Sequence, residues 1–392
     1  YRGLNFWLNN HSFYKECLWD GNFDIWVVPE SNYIDPETLS MLKNDKVKII
    51  EKNIKEGQYF DLKRLNPDYV LIATPYKAQR NKIYNAEYLQ KFTKVLYIPY
   101  GVVMHSNYKK EYFLNEDFPN VYKIFLDTKE DFDTYSNFLS KKNLVLSSHP
   151  IFDLFQNYCI NKYTKCWLNN QNINDKNNSR KTIWWTPHWT FKKWWLIEDY
   201  KDTVGNSDFV KYADLWLKIP KLYPNINFIM RPHPNLFREL PRETDGLWTE
   251  EKVKDWKKEF ESNQNAKIDG NTNYIIQFLI SDAVINSSLS FTTVLINTRK
   301  SILSVRDIEN SPELNKREKN IENSYYKAKN ENDIINFIEN VVVGEKDNML
   351  KEREKALKDN IFIPKGGSGL FIKNYLKNDY EDNSSKKINL KE

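Results

Sequence analysis

Two stretches decide the fold of this 392-residue chain: residues 181–188 read KTIWWTPH, and residues 226–233 read INFIMRPH. Each starts as a run of β-branched, aromatic and apolar residues and reaches a proline, which cannot continue a sheet ladder. Each stretch therefore predicts a buried strand with a histidine just beyond its carboxyl end, His188 in the first and His233 in the second.

The segment between these strands has the spacing of a helix. From Asp208 to Tyr223, apolar residues recur three or four positions apart, and Ser207 or Asp208 can serve as the N-cap. A strand, a helix and a second strand in succession imply a parallel sheet, and ligands of open parallel sheets collect beyond the carboxyl ends of the strands. We therefore expect both histidines and Arg231 at one edge of a sheet.

A third segment repeats this pattern and adds hydroxyl groups. Ala283–Ile285 predicts a buried strand, and Ser290–Thr298 predicts the helix after it. The residues between them form the turn and the helix start, where free backbone N–H groups and the helix dipole attract an anion. The candidate phosphate ligands here are Asn286, Ser287, Ser288 and Ser290. The alternative is that the serines only cap the helix.

These groups suit the binding of a diphosphate. Arg231 stays cationic and can hold phosphate oxygens through two parallel hydrogen bonds, and His233 can add a hydrogen bond or a proton. His188, one strand away, either binds the donor or completes the cluster. An acceptor hydroxyl would then attack phosphorus, or an anomeric carbon, as a nucleotide leaves. The alternative is that each histidine caps its strand end by hydrogen bonding to the backbone.

Composition limits the function classes. The chain has 58 basic and 53 acidic residues, and the formal charge of +5 is dispersed along the sequence. This balance weakly favours anionic ligands or a membrane surface and does not indicate a nucleic-acid-binding protein. The three cysteines are widely spaced, with no zinc or disulfide pattern, so a reducing cytoplasm is expected. No apolar run reaches the length of a membrane-spanning helix.

At 392 residues the chain is too long for one ordinary core, and we predict two α/β domains. The first, residues 1–155, holds predicted strands at Leu4–Leu8, Asp24–Val28, Val47–Ile50, Tyr69–Ile72, Lys94–Ile98, Asn120–Leu126 and Asn143–Ser147. An Asn-rich linker at 156–180 leads to the second domain at 181–357. A helix at 358–378 is expected to return to the first domain, and a disordered tail is expected at 379–392.

Short motifs in a fixed order give the chain a resemblance to a known family. The motifs are Asn66–Asp68, Tyr97–Gly101, His149–Asp153, Trp185–His188, Arg231–Pro234, Ser281–Ile285, Ser287–Phe291 and the closing Pro364–Gly369. This set resembles the CDP-glycerol glycerophosphotransferase family, whose members build or decorate teichoic acids and capsular polysaccharides. The resemblance extends from Leu4 to about Leu376.

The resemblance implies a GT-B architecture, in which two doubly wound, Rossmann-like domains face a central cleft. The C-terminal domain would hold a CDP-activated donor, with Arg231 and His233 at its phosphates and Ser287 and Ser288 around the diphosphate. The N-terminal domain would receive the acceptor, a surface polysaccharide or a lipid-linked glycan. No cofactor is implied, and no metal ion is expected to be essential, because positive side chains would stabilise the phosphates. The expected location is the cytoplasm, including the inner face of the membrane.

The general base is left open. Family members that polymerise glycerol phosphate carry a histidine before the glycine where this chain has Tyr100–Gly101. His105 and His11 are the substitutes, the latter expected in the loop after the first strand, and Asp153 is a further candidate on the acceptor side. For His149 we favour a strand-end or hinge role.

The tryptophans near His188 are divided between core and site. Trp184 and Trp185 are expected to alternate across their strand, with one of them in the core. Trp189, in the loop beside His188, is a candidate for a donor lid or for a contact with the acceptor.

Three functions are compatible with the sequence. The first is a phosphotransferase that moves an alditol phosphate, or another small phosphoryl-linked group, from a CDP carrier to a glycan. The second is a glycosyltransferase of the same fold that uses a nucleotide sugar. The third is a catalytically silent glycan-binding module. The presence of both His188 and His233 argues against the third, and Tyr100 at the histidine position argues for it.

Overall fold

In the computed structural model the described residues are 7–29, 36–50, 59–102, 110–157, 180–191, 207–270, 274–306 and 314–389. The chain forms two compact units. Unit 1 comprises residues 1–103, 109–157 and 362–392, and unit 2 comprises residues 104–108 and 158–361. Each unit is built on parallel strands.

The strands of unit 1 are β1 (Trp26–Val27), β2 (Lys48–Ile49), β3 (Tyr69–Ile72), β4 (Lys94–Tyr97), β5 (Lys123–Leu126) and β6 (Leu144–Leu146). β1 pairs with β2, and β3 to β6 form a parallel sheet in chain order. Consecutive residues of the central strands are buried, with Val95 and Leu96 of β4 at most 2% exposed and Ile124 and Phe125 of β5 at most 1%. Burial of both sheet faces accounts for these unbroken apolar runs.

The strands of unit 2 are β7 (Lys181–Thr186), β8 (Ile226–Met230), β9 (Ala266–Ile268), β10 (Ala283–Asn286), β11 (Ser301–Ser304) and β12 (Tyr326–Lys327). They form one parallel sheet in the order β12-β11-β10-β7-β8-β9. Trp185 stacks on Trp216 with ring centres 4.3 Å apart, and Trp184 meets Phe278 edge-on at 6.1 Å. Both Trp184 and Trp185 are 0% exposed, so the core holds two tryptophans where one was predicted, because both faces of β7 are covered.

The helices, numbered in chain order over the described residues, surround these sheets. They are α1 (His11–Asp20), α2 (Pro36–Asn44), α3 (Ala86–Leu89), α4 (Lys110–Leu114), α5 (Lys129–Ser136), α6 (Pro150–Asn157), α7 (Phe209–Leu222), α8 (Leu236–Glu243), α9 (Glu250–Glu261), α10 (Ile275–Ile280), α11 (Leu289–Leu295), α12 (Lys316–Glu322), α13 (Glu331–Asn336), α14 (Leu350–Asn360) and α15 (Ser368–Asn389). A π-helical segment, Phe337–Val343, continues α13. The predicted unit of strand, helix and strand is confirmed as β7, α7 and β8.

Two predictions near the amino terminus need correction. The strand expected at Leu4–Leu8 is helical at Trp7 and Leu8, its only described residues. His11 is the first residue of α1, not a loop residue. Aromatic contacts stabilise this helical start, because the Trp7 ring packs edge-on against Tyr14, 4.7 Å away. The predicted linker at 156–180 lies almost wholly outside the described residues.

The segment 379–392 was predicted to be a disordered tail, but α15 continues through it to Asn389. Asp379 explains this result. Its carboxylate accepts hydrogen bonds from the hydroxyls of Tyr69 and Tyr122, at 2.6 and 2.5 Å, and from the ammonium of Lys94 at 2.6 Å. Charge-assisted hydrogen bonds of this kind fix the helix to the first residues of β3 and β4 and to the residue before β5.

Candidate functional site

The carboxyl ends of three neighbouring strands bring the predicted site residues of unit 2 together. β7 lies between β10 and β8, with Thr186 beside Asn286 and Trp185 beside Met230. Because all the strands are parallel, the residues that follow them leave the sheet at the same edge. The predicted residues at this edge are His188, Arg231, His233, Asn286, Ser287, Ser288 and Ser290.

Two histidines and a tryptophan form a cluster of rings at this edge. The ring centres of His188 and His233 are 5.4 Å apart, and the Trp189 ring lies 5.6 Å from His233 at an interplanar angle of 33°. His188 is buried, whereas His233 and Trp189 are half-buried. The structure thus places Trp189 against both histidines, as a wall of the candidate site.

Hydrogen bonds to Nδ1 indicate the tautomer of both histidines, and in His188 this atom also lies 2.7 Å from the Thr190 hydroxyl. The Thr190 N–H donates to Nδ1 of His188 at 3.3 Å, and the Asn235 N–H donates to Nδ1 of His233 at 3.2 Å. A ring nitrogen that accepts a hydrogen bond carries no proton, so in the neutral imidazoles the proton is on Nε2. Within the part of the chain that the structure describes, neither Nε2 atom has a hydrogen-bond partner. Both rings therefore present an N–H donor.

Burial keeps these histidines uncharged. It lowers the pKa of His188 to about 3, with a further contribution from His233. Burial, together with the cationic Arg231 and Arg238, lowers the pKa of His233 to about 4. At neutral pH the site thus offers two neutral N–H donors. The negative charge of a bound phosphate would raise both pKa values, because an opposite charge favours the protonated ring.

Ser287 holds the strand ends together. Its hydroxyl donates to the carboxylate of Asp208 and accepts from the backbone N–H of His188 at 3.0 Å. The indole N–H of Trp185 donates to the other Asp208 oxygen at 2.7 Å. Burial raises the pKa of Asp208 to about 6, against the lowering effect of these two hydrogen bonds. Ser287 thus positions His188 through its hydroxyl, a role that the sequence analysis did not assign to it.

The sequence predicted Asp208 only as a helix N-cap, but its side chain makes no capping hydrogen bond. It lies 79 residues before Ser287 in the chain. The only sequence signal was an acidic residue before an apolar helix, which is common at helix starts of every function. Its contact with the site depends on how α7 packs on the sheet, so the sequence alone could not reveal it.

Asn286 ends β10, and Ser288 and Ser290 lie at the start of α11. The Asn286 side-chain oxygen accepts from the Thr186 hydroxyl at 2.8 Å and from the Ser288 N–H at 3.0 Å, which fixes the turn. Ser288 is the N-cap residue, but its side chain makes no capping hydrogen bond. Its hydroxyl instead lies 3.1 Å from that of Ser290. The two hydroxyls form a polar pair at the first turn of the helix.

Arg231 is buried beside an acidic partner. Its guanidinium donates to Asp269, just after β9, at 2.9 Å, and lies over the ring of Tyr274 at 5.4 Å from the ring centre. Burial lowers the pKa of Arg231 and the charge of Asp269 opposes the shift. The arginine therefore lies at the predicted edge, with part of its charge balanced by Asp269.

Of the remaining candidates, His11, Tyr100, Gly101 and Asp153 lie in unit 1 and have different surroundings. His11 accepts a hydrogen bond from the Trp7 indole at 3.2 Å, and burial, with nearby Lys15, lowers its pKa to about 4. The hydroxyl of Tyr100, next to Gly101, lies 3.0 Å from that of Tyr76. His105 lies outside the described residues.

Asp153 has a structural role, and its place on the acceptor side stays a prediction. Its carboxylate accepts from the Ser12 hydroxyl at 2.7 Å and from the backbone N–H groups of Ser368 and Gly369 at 2.9 Å each. It is 3% exposed. A carboxylate at the amino end of a helix is favoured by the unpaired N–H groups there, so Asp153 anchors α15. A Cβ on Gly367 (φ 98°) would lie 2.9 Å from this carboxylate, which explains the glycine.

His149 also has a structural role, in agreement with the interpretation favoured from the sequence. Its Nδ1 accepts from the Ile151 N–H at 3.2 Å, and its Nε2 lies 2.8 Å from the carbonyl oxygen of Pro99, to which it donates. The ring is 1% exposed. It joins the end of β6 to the segment that follows β4.

Metal and membrane features are limited to what the described residues show. In those residues, no group of three or more His, Cys, Asp or Glu side chains could hold a metal ion. Independence of transfer from metal ions stays a prediction. Over the same part of the chain, every helix is too short or too polar to cross a bilayer.

Comparisons with known proteins identify the fold. No protein-family model and no curated protein sequence matches the chain. A UDP-GlcNAc 2-epimerase from Neisseria meningitidis bound to UDP-GlcNAc matches at 14% identity over 98% of both chains, with a TM-score of 0.56. S. aureus MnaA with UDP matches at 12% identity over 97% of this chain and 95% of its own, with a TM-score of 0.58.

A variant of the wall teichoic acid polymerase TagF, soaked with CDPG, matches at 10% identity and a TM-score of 0.62. The match covers 96% of this chain and 86% of that protein. Likeness at such low identity shows the fold alone. The chain has the predicted α/β GT-B fold with two parallel-sheet domains.

Proposed function

We propose that this chain is a transferase that moves a glycerol-phosphate-like group from a CDP-activated donor to a hydroxyl of a bacterial capsular or teichoic-type polysaccharide. The observation that supports it most strongly is the pair of Nε2–H donors on His188 and His233, at one sheet edge with the hydroxyls of Ser288 and Ser290. Neutral donors suit this task, because they bind phosphate oxygens without the strong charge that would hold the released nucleotide.

The proposed reaction exchanges one oxygen substituent on the β-phosphorus for another. The acceptor oxygen attacks the β-phosphorus of the donor, and the bond from that phosphorus to the bridging oxygen breaks, releasing CMP. The hydroxyl proton goes to a base, which we do not assign. His233 and His188 would donate to the phosphate oxygens, where negative charge grows in the transition state. Asp208 and Ser287 would keep the His188 backbone in place.

The fold comparisons support a nucleotide-linked donor without selecting one. The TagF match is a structure soaked with CDPG, and its fold covers nearly the whole chain. The motif resemblance to CDP-glycerol glycerophosphotransferases points to the same donor class. Together with the two histidines, these observations favour CDP-glycerol or a related CDP-alditol.

A UDP-sugar is the second candidate donor. The epimerase match is bound to UDP-GlcNAc and covers 98% of both chains. On this alternative the chain would be a glycosyltransferase for a surface glycan, and UDP would leave in place of CMP.

Product analysis separates these candidates. Purified protein is incubated with CDP-glycerol, CDP-ribitol or UDP-GlcNAc, each with a teichoic or capsular acceptor, and the released nucleotide is identified by chromatography. Release of CMP together with extension of the acceptor is the expected result. Release of UDP alone would contradict the phosphotransferase and favour the glycosyltransferase. Binding of glycan without any nucleotide release would favour a silent binding module.

A further inference from the structure

A row of polar side chains crosses the unit 2 sheet beside the histidine site. Thr186, Asn286, Ser304 and Lys327 are register partners on β7, β10, β11 and β12, and each lies at the carboxyl end of its strand. Register partners of parallel strands point to the same face of a sheet. The row therefore extends the polar edge away from His188, towards β12.

Beyond β11 this row meets a buried ion cluster. Arg306 donates from Nε to Glu322 at 3.1 Å and from Nη2 to the other Glu322 oxygen. The Ser304 hydroxyl donates to the same carboxylate at 3.0 Å, and Lys327 Nζ lies 3.8 Å from it, beyond hydrogen-bond distance. The cluster thus has two cations and one carboxylate, a surplus of one positive charge.

The guanidinium of Arg306 has a second face that none of the described residues occupies. Glu322 occupies the Nε–Nη2 face, and within the described chain Nη1 has no hydrogen-bond partner. A guanidinium offers five N–H donors in a planar fork, so the Nη1–Nη2 face can still hold an oxyanion. The side chain is only 3% exposed, and a buried donor without a partner destabilises the protein. A ligand oxygen would remove that destabilisation.

The opposite end of β11 provides a matched comparison. Arg353 donates from both Nη1 and Nη2 to Asp347, and Ser301, the first residue of β11, donates to the same carboxylate at 2.8 Å. This pair is neutral and uses the terminal nitrogens of its arginine. It lies at the amino end of the strand, whereas ligands of parallel sheets collect at the carboxyl end.

We propose that Arg306, supported by Lys327, binds a singly charged oxyanion of a substrate, either a phosphate diester or a carboxylate. β11 is two strands from β7 and three from β8. At a strand spacing of about 4.8 Å, the new site lies roughly 10 Å from the His188 strand and roughly 14 Å from the His233 strand. It would therefore hold a group distinct from the phosphate at the histidines. The inference goes beyond the proposed function and does not depend on it.

A binding experiment without nucleotide tests this site. The full chain with both His188→Asn and His233→Asn serves as the background, so that the histidine site does not contribute. Its unfolding midpoint is measured against increasing dimethyl phosphate or acetate, at an ionic strength kept constant with chloride, and the apparent Kd is taken from the shift. We expect a rise with one of the two anions. The anion that raises the unfolding midpoint shows whether the site binds a phosphate diester or a carboxylate.

Variants of Arg306, Arg353 and Glu322 test whether the anion binds at Arg306. Arg306→Gln should weaken the apparent affinity about tenfold or more, the loss expected for a hydrogen bond to a charged group. Arg353→Gln, the matched control, should lower the midpoint in the absence of anion and keep the affinity. Glu322→Gln should increase the affinity, because it raises the positive surplus of the cluster.

The inference is overturned if neither anion shifts the midpoint, or if Arg306→Gln binds as tightly as the background. If Arg306→Gln does not fold, Arg306→Lys decides, because lysine keeps the charge beside Glu322 and lacks the second planar face. Loss of affinity in Arg306→Lys supports the site, and unchanged affinity contradicts it. None of these outcomes depends on whether CDP-glycerol is the donor.

Discussion

His149 in unit 1 and the histidines of unit 2 share one local structure and differ in the surroundings of Nε2. In each, Nδ1 accepts from the backbone N–H two residues later, at 3.2 Å for His149 and His233 and 3.3 Å for His188. Each ring therefore carries its proton on Nε2. In His149 that N–H donates to the Pro99 carbonyl at 2.8 Å, whereas in His188 and His233 it has no partner among the described residues.

The difference shows that a local motif does not determine function. A histidine just after a strand forms the same turn in both units, because the ring nitrogen and the backbone N–H are at a fixed spacing. In the proposed function, a histidine binds the donor only where the described residues leave its Nε2–H without a partner. Asparagine can replace the turn contact, because its side-chain oxygen also accepts from the N–H two residues on, and its shorter side chain places no donor at the position of Nε2. Substitution by asparagine thus isolates the Nε2 contact in each histidine.

The largest expected effect is on transfer. His188→Asn or His233→Asn should lower the rate of CMP release about 100- to 1000-fold, the usual loss when one donor to a developing oxyanion is removed. The unfolding midpoint should stay close to that of the wild type, because no protein contact of Nε2 is lost. Rates are measured by nucleotide release and stability by thermal unfolding. Full activity in His233→Asn would remove that residue from the site.

The same substitution in unit 1 should have the opposite result. His149→Asn leaves the buried Pro99 carbonyl without its donor, which should lower the free energy of unfolding by about 1–3 kcal/mol. Donor binding should be unchanged, because the donor site is proposed in unit 2. Denaturant unfolding measures the first quantity and calorimetric titration with CDP the second. A stable His149→Asn variant would show that the Pro99 contact contributes little.

The effect of acid on the folding stability is expected to be intermediate in size among these predictions. The folded pKa of His188, about 3, is below the ordinary value of 6.5, so between these values the unfolded state binds more protons. Stability from this group is complete above pH 6.5 and falls as the pH drops towards 3, by up to about 1.4 kcal/mol per pH unit. His188→Asn should make the decline shallower than in the wild type. Equal slopes in chemical unfolding series at pH 4 to 7 would contradict the shifted pKa.

The smallest expected effect is at the start of α11. Ser290→Ala removes one hydroxyl of the Ser288–Ser290 pair and should weaken CDP binding about threefold to tenfold, the range for a neutral hydrogen bond. Ser262→Ala is the control. Ser262 directly follows α9, and its hydroxyl donates to the backbone carbonyl of Glu259 in that helix. An unchanged Kd for CDP in Ser290→Ala would exclude that hydroxyl from the donor site.

Much of the unit 2 edge could be predicted from the sequence. Strand ends were marked by Pro187 and Pro232, and the apolar runs before them needed a sheet buried on both faces. Both signals are local, so they appear in the chain itself. His188, Arg231 and His233 followed from the strand ends.

Contacts over long sequence distances could not be predicted. The Asp208–Ser287 contact and the bonds from Asp153 to Ser368 and Gly369 join residues that no periodicity links. The polar row that ends at Lys327 depends on the strand order, which places β10 between β7 and β11 and cannot be read from chain order. The sequence also could not distinguish His149 from His233, because the partner of His149 Nε2 is Pro99, 50 residues away in the segment that follows β4.

The central claim is that two neutral histidines bind the donor phosphate through Nε2–H. Imidazole ¹⁵N chemical shifts of His188 and His233, recorded with and without CDP at pH 7, test it most directly. We expect Nδ1 unprotonated and Nε2 protonated in the free protein, with both Nε2 signals shifted when CDP binds. Protonation on Nδ1, or CDP binding that leaves both Nε2 signals unchanged, would contradict the claim.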